Sequence, residues 1–196
     1  MLKKIISGGQ TGADQGGLEA AVALDLESGG TAPWNYMTEN GPQMVMLQTY
    51  GLVAGKYDSR TYPKRTEQNV KDADATVIFG DVNERGSGLT DRLCFKHKRP
   101  CCVISFGGLK ESSQVRTLLQ SYQDVFWADS YSSERKLRGG MLPKETVERS
   151  FVYWLRENDV RTLNVAGNRE SKAPGIQKLV KEFLVKTLRT SEQQQL

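Results

Sequence analysis

Three segments of the chain share one order of elements: a short apolar run, a loop of small and polar residues, and an amphipathic helical pattern. The apolar runs cover residues 3–7, 75–79 and 162–166, and a fourth run at 101–105 follows the second predicted helix. Continuous apolar runs that alternate with helices are typical of a parallel sheet covered on both faces. The sequence therefore predicts an α/β fold, a Rossmann-like three-layer α/β/α arrangement with a mainly parallel sheet.

The loop after the first run, residues 7–17, carries five glycines in eleven positions. Glycine reaches positive φ and has no Cβ, so a ligand can approach the backbone amides closely. Amides at a helix start lack internal partners and lie at the positive end of the helix dipole, where a phosphate binds well. Polar side chains in the loop can add hydrogen bonds to a phosphate or a sugar. The candidate ligand-binding residues of this loop are Gly8, Gly9, Gln10, Thr11 and Gly12.

Asp14 stands in the same loop, and two roles are open to it. Its carboxylate is suited to holding a ribose hydroxyl or the edge of a base. The alternative is a helix N-cap for a helix that begins near Gln15, since that position needs a short side-chain acceptor. We include Asp14 among the candidate ligand-binding residues.

The other two loops are expected at the same edge of the sheet, because ligands of such folds lie beyond the carboxyl ends of the strands. Hydroxyls near the second helix start could bind a phosphate, with helix capping by Thr90 as the alternative. In the third loop, Arg169 is expected to face an anion, and Glu170 to bind a ribose, a base or Arg169. Glu170 is also the candidate general base if a reaction takes place. The candidates in these two loops are Ser87, Gly88, Thr90, Gly167, Asn168, Arg169, Glu170 and Ser171.

A polar stretch before the second strand supplies two more candidates, Arg60 and Thr61. An arginine guanidinium grips a phosphate through two parallel hydrogen bonds. A solvated surface arginine is the alternative interpretation. Asp72 and Asp74 stand directly before the second apolar run, and we interpret them as turn and capping residues.

The sequence lacks the patterns of several common catalytic and metal sites. Its one histidine, His97, lies in a basic run and is expected to be solvated, so no Ser-His-Asp or Cys-His system is predicted. One histidine without a CxxC pair argues against a zinc site. No GxxxxGK[ST] pattern is present, which disfavours nucleotide hydrolysis of the P-loop kind. We therefore predict no metal ligands and no catalytic residue beyond the candidate Glu170.

The chain length of 196 residues fits one domain. We place a single ligand-binding domain at residues 1–189, with an insertion at about 107–141. The insertion carries apolar residues at 114–122 and 125–128, but 130–140 is polar and ends in glycines. We interpret it as an elaboration over or beside the sheet, which would suit a mobile lid. Residues 190–196, with three glutamines, are expected to form a disordered tail.

Charge, hydropathy and cysteine content bear on the partners and the cellular compartment of the protein. The net charge of +4, from 27 basic and 23 acidic residues, comes without a clustered basic face, so a nucleic acid partner is not favoured. No run of 18 apolar residues and no apolar leader core occur, so neither a membrane span nor a signal peptide is predicted. Three cysteines, an odd number, suit a reducing cytoplasm. Cys101 and Cys102 lie in an apparent strand and are expected to point to opposite faces.

Six ordered motifs carry a family resemblance. They are SGGQTGADQGG at 7–17, YxxRT at 57–61, NVxDxDAT at 69–76, GSGLT at 86–90, PC at 100–101 and LNVAGxRESK at 163–172. In these motifs the chain resembles the family of proposed molybdenum cofactor carriers, which are circularly permuted YpsA-like members of the SLOG superfamily with a Rossmann-like fold. The resemblance covers roughly 1–105 and 146–188. It implies a parallel sheet, a ligand site at its carboxyl edge, and a homo-oligomer, either a dimer or a tetramer.

The residues and the resemblance together favour a small-molecule binding protein that captures a phosphorylated nucleotide-like or molybdopterin-type ligand. The molybdenum cofactor or a nucleotide would then be the bound ligand. Binding or sequestration of a nucleotide-derived signalling molecule is a first alternative. Hydrolysis of a nucleotide N-glycosidic bond or phosphate, with Glu170 or Asp14 in a catalytic role, is a second. Single-stranded DNA binding is a third. The PGGxGTxxE motif of relatives that cleave the sugar–base bond is absent from the sequence, which weighs against an enzyme.

Overall fold

The structure is a computed structural model of the chain, and it describes residues 2–57, 61–83, 85–106, 124–130 and 138–193. Eight strands form one sheet in the order β5-β2-β1-β10-β6-β7-β8-β9. These strands are β1 (Lys4–Ser7), β2 (Glu27–Ala32), β5 (Leu52–Ala54), β6 (Ala75–Phe79), β7 (Cys101–Ser105), β8 (Asp124–Ser130), β9 (Arg138–Pro143) and β10 (Thr162–Gly167). A separate hairpin is formed by β3 (Met37–Thr38) and β4 (Gly41–Pro42).

From β5 to β7 in this order, all neighbouring strands pair in parallel, while β8 and β9 add antiparallel pairs at one edge. The helices are α1 (Ala13–Ala23), α2 (Met44–Thr49), α3 (Thr61–Asp72), α4 (Arg85–Lys96), α5 (Lys144–Glu157) and α6 (Ile176–Gln193). The mainly parallel α/β sheet expected from the sequence is thus confirmed.

Two apolar clusters cover the two faces of the sheet. Because successive strand residues point to opposite faces, Val77 packs with α1, α5 and α6, whereas its neighbour Ile78 packs with α3 and α4. Cys102 joins the first cluster and Cys101 the second, as the sequence predicts. The three-layer Rossmann-like arrangement is therefore confirmed, with the central strands buried on both sides.

The helix α1 approaches the sheet and α6 unusually closely. Gly16 and Gly17 lie in its first turns, and no side chain would fit there: a Cβ on Gly17 would lie 2.6 Å from the Cβ of Val165, and one on Gly16 would lie 2.4 Å from the carbonyl oxygen of Gln177. The glycine-rich loop is therefore shorter than the sequence suggests, since its last two glycines belong to the helix.

Two helices begin or end away from their expected positions. The helix α4 begins at Arg85 rather than near Thr90, so the expected second loop is largely the first turn of a helix. Glycine has a low helix propensity, which made this turn look like a loop. At the other end of the chain, α6 continues to Gln193, because its buried face extends to Thr187 and Leu188. The expected disordered tail is therefore wrong for residues 190–193, and residues 194–196 lie outside the described part.

The insertion expected at 107–141 contains two elements that can be described. The strands β8 and β9 extend the sheet beside β7. This agrees with an elaboration beside the sheet. The lid interpretation concerns residues 107–123 and 131–137, which lie outside the described residues.

His97 is not solvated as the sequence suggested, because its side chain is only 20% exposed and pairs with α3. The Glu67 carboxylate lies 2.7 Å from Nε2 of His97 and accepts a hydrogen bond of the same length from Nζ of Lys96. Hydrogen bonds from Lys96 and His97 lower the pKa of Glu67 to about 2. This cluster joins α3 to the end of α4 on one side of the sheet.

The substitution Gly17→Ala should destabilise the protein by roughly 1–3 kcal/mol, because the added methyl would overlap Val165 in a closely packed region. Gly86→Ala is the matched control. Gly86 also lies in the first turn of a helix, but its Cβ position is open, so alanine there should be neutral or stabilising by up to about 1 kcal/mol. Urea denaturation of both variants measures the difference. Equal changes in the two variants would contradict the packing account.

The substitution Glu67→Gln should lower the free energy of unfolding at pH 7 by about 1 kcal/mol, the range for a partly exposed ion pair. The folded pKa of Glu67 lies below its unfolded value, so the stabilisation is complete above about pH 4.5 and is lost as the pH falls toward 2. Stability curves of wild type and variant should therefore converge in acid. Glu182→Gln, which removes an exposed pair with Lys178, should cause a smaller loss at pH 7. Parallel curves for the Glu67 variant would refute the assignment.

Candidate functional site

A cleft of about 110 Å³ opens beyond the carboxyl ends of β1 and β10, between α3 and α4. Its lining residues come from four parts of the chain: the first loop, α3, α4 and the end of β10. They are Gln10, Asp14, Tyr62, Arg65, Thr66, Asn69, Gly86, Leu89, Thr90, Asn164, Ala166, Gly167 and Arg169. The cleft thus lies at the sheet edge where ligands of open α/β sheets bind.

The deepest charged group of the cleft is Asp14, which pairs with Arg65 of α3. An Oδ2 to Nη1 distance of 3.3 Å joins the two side chains, which are 6% and 14% exposed. The same carboxylate oxygen accepts a hydrogen bond from the amide of Gln10. Burial raises the pKa of Asp14, and the attraction to Arg65 offsets this only in part. Asp14 is not the N-cap of α1, because Gly12 takes that position.

Arg65 occupies the place expected for a phosphate on the first loop. A Cβ on Gly8 would lie 1.2 Å from Nη1 of Arg65, so the absence of a side chain at Gly8 makes room for the guanidinium. The Nε atom of Arg65 is buried and has no hydrogen-bond partner among the described residues. Sequence reasoning missed Arg65, because the TYPKRT start of α3 looks like an ordinary surface helix.

The other two loop glycines also allow contacts within the protein. Gly9 has φ of 73°, and a Cβ there would lie 2.7 Å from Cδ2 of Leu52. Gly12 has φ of 81°, and a Cβ there would lie 2.4 Å from the carbonyl oxygen of Asn168. Positive φ and crowding together require glycine at both positions. These glycines therefore allow close packing of the first loop against its neighbours, and their contact with a ligand stays a prediction.

Glu39, in the turn of the β3–β4 hairpin, binds the first and third loops at once. Its carboxylate accepts hydrogen bonds from the hydroxyls of Thr11 and Ser171 and from the amide of Ser171, the last at 3.1 Å. Burial alone would raise the pKa of Glu39, but the hydrogen bonds from Ser171 and Thr11 outweigh it and hold the pKa below its usual value. The anion bound by Thr11 and Ser171 is therefore a side chain of the same protein, which no sequence signal indicated.

Gln10 also joins the first loop to the β3–β4 hairpin. Its Oε1 atom accepts hydrogen bonds from the amides of Thr11 and Glu39, at 3.0 and 2.8 Å. The acceptor of this side chain is thus used within the protein, although Gln10 also lines the cleft.

Glu170 is a helix cap and not a free general base. One carboxylate oxygen accepts a hydrogen bond from the amide of Gly175, and the other accepts one from the amide of Gln177 at 3.1 Å. These amides lie at the start of α6, where backbone donors lack helical partners. Both oxygens thus bind the start of α6, and the catalytic role of Glu170 stays a prediction.

A hydrogen bond joins Asn168 of the third loop to Ser87 in the first turn of α4. The Oδ1 atom of Asn168 accepts a hydrogen bond of 3.3 Å from Ser87 Oγ, and both side chains are buried. The amide of Asn168 donates to the carbonyl of Phe79, and its carbonyl accepts from the amide of Ala13. These two expected ligand residues therefore hold the strand ends together.

The remaining candidates divide between the cleft and its surroundings. Thr90 lines the cleft but does not cap α4, because its Oγ1 donates to the carbonyl of Gly86 one turn earlier. Gly88 packs against Val82, whose carbonyl oxygen would lie 2.7 Å from an added Cβ. Thr61 is the first residue of α3. Arg60 lies outside the described residues.

Two buried amides that were not among the candidate ligand-binding residues complete the cleft wall. Asn164 is 2% exposed and donates to Thr76 Oγ1 at 3.2 Å, across the β10–β6 pair. Asn69 of α3 donates to the carbonyl of Thr31 and accepts from its amide, at 3.0 and 2.7 Å. An asparagine within an otherwise apolar strand was the sequence signal for Asn164. Asp74, by contrast, caps the start of β10 by accepting from the amides of Arg161 and Thr162, as interpreted.

Within the described ranges, no group of three or more histidine, cysteine, aspartate or glutamate side chains is placed to hold a metal ion. The helices of those ranges include none that is long and apolar enough to cross a membrane.

A known protein family and a solved structure are similar to this chain. The model of the circularly permutated YpsA SLOG family matches residues 5–126 and 137–188. The chain is also similar to the crystal structure, at 1.45 Å resolution, of a "Putative molybdenum carrier protein" from Syntrophus aciditrophicus SB, with 28% sequence identity and a TM-score of 0.69. That similarity covers 93% of this chain and 92% of the other. No functionally curated protein matches the sequence significantly. Since the family match includes the first loop, the cleft and β10, the chain belongs to the circularly permutated YpsA SLOG family.

Proposed function

We propose that this protein binds a phosphorylated small molecule in the cleft between α3 and α4. The observation that carries the proposal is the Arg65 guanidinium, which is mostly buried at the cleft with an Nε donor that no described residue satisfies. A buried donor without an acceptor is costly, and a bound anion would remove that cost. Arginine is also the side chain best suited to the planar recognition of a phosphate.

The charge of the cleft supports an anionic ligand. Two guanidiniums, those of Arg65 and Arg169, stand among its described lining residues, against the single carboxylate of Asp14. Because burial raises the pKa of Asp14, its negative charge is the less stable of the charges present. Arg169 is exposed and can move toward a ligand at the mouth. The cleft therefore favours a phosphate, with the buried amide of Asn164 available to orient the remainder.

We propose that the ligand is nucleotide-like or molybdopterin-type. The similarity to a protein described as a molybdenum carrier supports the second. A nucleotide-derived signalling molecule would present the same phosphate to the same arginines, so its sequestration belongs to the same proposal. The ligand would be cargo or signal rather than a resident cofactor. Single-stranded DNA binding stays a prediction.

We place the protein in the cytoplasm as a homo-oligomer. Cys94, Cys101 and Cys102 form no disulfide with one another, which supports a reducing compartment. The homo-oligomer is the expectation that the family resemblance carries, and sedimentation of the purified chain measures it.

A second candidate function is hydrolysis of a nucleotide, and one observation favours it. Asp14 lines the cleft and is buried, and burial raises its pKa. Carboxyls with raised pKa values serve as general acids or bases in many active sites. Asp14 thus takes the catalytic position that Glu170, as a helix cap, does not offer.

The substitution Arg169→Ala should weaken binding of the tightest phosphorylated ligand at least about tenfold, the effect of removing one charge-assisted hydrogen bond. Arg161→Ala is the matched control, because Arg161 precedes the same strand β10 at its opposite end and is exposed. Thermal shift and calorimetry with nucleotides, cyclic dinucleotides, ADP-ribose derivatives and molybdopterin provide the measurement. Arg65→Gln should act in the same direction wherever its circular dichroism shows a folded chain. Failure of every anionic compound to stabilise the wild type would overturn the proposal.

If the protein hydrolyses nucleotides, Asp14→Asn should abolish turnover and keep ligand binding, because the amide preserves an acceptor for the Gln10 amide. Chromatography of nucleotides incubated with excess protein would show released base or phosphate. Glu170→Gln is the comparison and should lower stability through the α6 cap while sparing turnover. Intact nucleotides after incubation with the wild type would reject the hydrolase function and leave the binding function standing.

A further inference from the structure

We propose that Trp34 and Tyr57 form a subsite for the planar aromatic ring of the ligand whose phosphate lies in the neighbouring cleft. The inference rests on the proposed function and deepens it, because it assigns residues to the flat heterocycle, a purine or a pterin, of such a ligand. Neither residue lines the cleft itself.

The two side chains form an exposed corner. Their ring centroids are 5.1 Å apart and their planes meet at 75°. Trp34 is 46% exposed and Tyr57 is 78% exposed, so both rings keep open surface. A flat ring can stack on one wall of such a corner and present its edge to the other, the two arrangements that aromatic groups prefer. Stacking of a base on an aromatic side chain tolerates many bases, since each has a π-face.

The corner lies at the same edge of the sheet as the cleft. Trp34 follows the carboxyl end of β2, and Tyr57 follows the carboxyl end of β5. The strand β2 pairs with β1, which pairs with β10, so β2 lies about 10 Å from β10 at the usual strand spacing. We infer from this strand spacing that one ligand can place its phosphate in the cleft and its ring on the corner.

A direct contact connects the two places. Asn69 lines the cleft, and its side-chain amide bonds both the carbonyl and the amide of Thr31. Thr31 stands three residues before Trp34, so their Cα atoms are at most about 11 Å apart. Asn69 therefore fixes the position of the strand end that carries Trp34 relative to the cleft wall.

The small size of the cleft favours a second place for the ring. Its volume is about 110 Å³, whereas pockets that enclose a whole small-molecule ligand are commonly about 300 Å³ or more. A ligand with its phosphate in the cleft would therefore extend beyond it. The Trp34–Tyr57 corner offers exposed aromatic area at the same edge of the sheet.

The backbone directly after Trp34 adopts an unfavourable conformation. The two residues that follow it, Asn35 and Tyr36, have φ of 55° and 51°, in the left-handed region that non-glycine residues rarely adopt. Buried contacts of Tyr36, whose hydroxyl lies 3.4 Å from the carbonyl oxygen of Leu52, keep this turn in place. Backbone strain of this kind is concentrated at ligand sites, where it fixes a side chain before the ligand arrives.

The test compares guanosine 5′-monophosphate with ribose 5-phosphate, which has the same phosphate and sugar without the ring. Guanine shares its aminopyrimidinone ring with pterins, so this probe stands for both classes of heterocycle. In the wild type, calorimetry should show at least about tenfold tighter binding of the nucleotide. In Trp34→Ala and Tyr57→Ala this advantage should fall to about twofold or less, while ribose 5-phosphate binding stays unchanged. Trp34→Phe should keep most of the advantage, because it retains a ring.

Tyr153→Ala is the control for loss of an exposed aromatic, since Tyr153 is 65% exposed on α5. The nucleotide should also quench the fluorescence of the wild type and not that of Trp34→Phe, in which the other two tryptophans remain.

The negative results distinguish failure of the ring subsite from failure of the phosphate site. Equal binding of both probes, or an advantage that survives in the alanine variants, overturns the ring subsite and leaves the phosphate site standing. Binding of neither probe overturns the ring subsite, and it overturns the phosphate site as well if no other anionic compound of the panel stabilises the wild type. A change of sedimentation in Trp34→Ala, with the nucleotide advantage retained, would assign the corner to self-association and reject the subsite.

Discussion

The direct contact between the first and third loops controls the whole carboxyl edge of this sheet. The amide of Ala13 donates to the carbonyl of Asn168 at 3.0 Å, and Gly12 beside it has no room for a side chain. Because the loops touch, α1 begins directly on the end of β10, and its Gly17 packs against that strand. The carboxylate of Glu39 then closes the junction from the hairpin side. The cleft lies beside this junction, between α3 and α4.

The sheet and its layers were predictable because burial on both faces leaves unmistakable apolar runs in β6, β7 and β10. The loops were harder, since a glycine needed for a ligand and a glycine needed for a neighbouring backbone look the same in a sequence. Gly8 illustrates the difficulty: its missing side chain admits Arg65, which lies 57 positions further along the chain. Glu39 and Arg65 could not be predicted, because only the fold brings them to the loops.

In the cleft, the attraction between Asp14 and Arg65 is stabilising and the burial of their charges is destabilising. Arg65 and Asp14 form a mostly buried ion pair, yet burial still raises the pKa of the carboxyl, so desolvation exceeds the attraction between the charges. A buried apolar pair would serve stability equally well or better. A charged pair with an unsatisfied Nε in the wall of a polar cleft is the arrangement that the proposed binding function would explain.

The cleft can form only when the whole sheet is assembled, because β10 lies at the centre of the sheet. The last strand of the chain lies at the centre of the sheet, with Lys4 opposite Thr162 on one side and Ala75 opposite Leu163 on the other. Its end supplies Asn164, Gly167 and Arg169 to the cleft. Until β10 inserts between β1 and β6, the first loop lacks its partner and the cleft lacks a wall. Pairing of such distant segments closes long loops late in folding, so the site and the complete sheet should form in the same step.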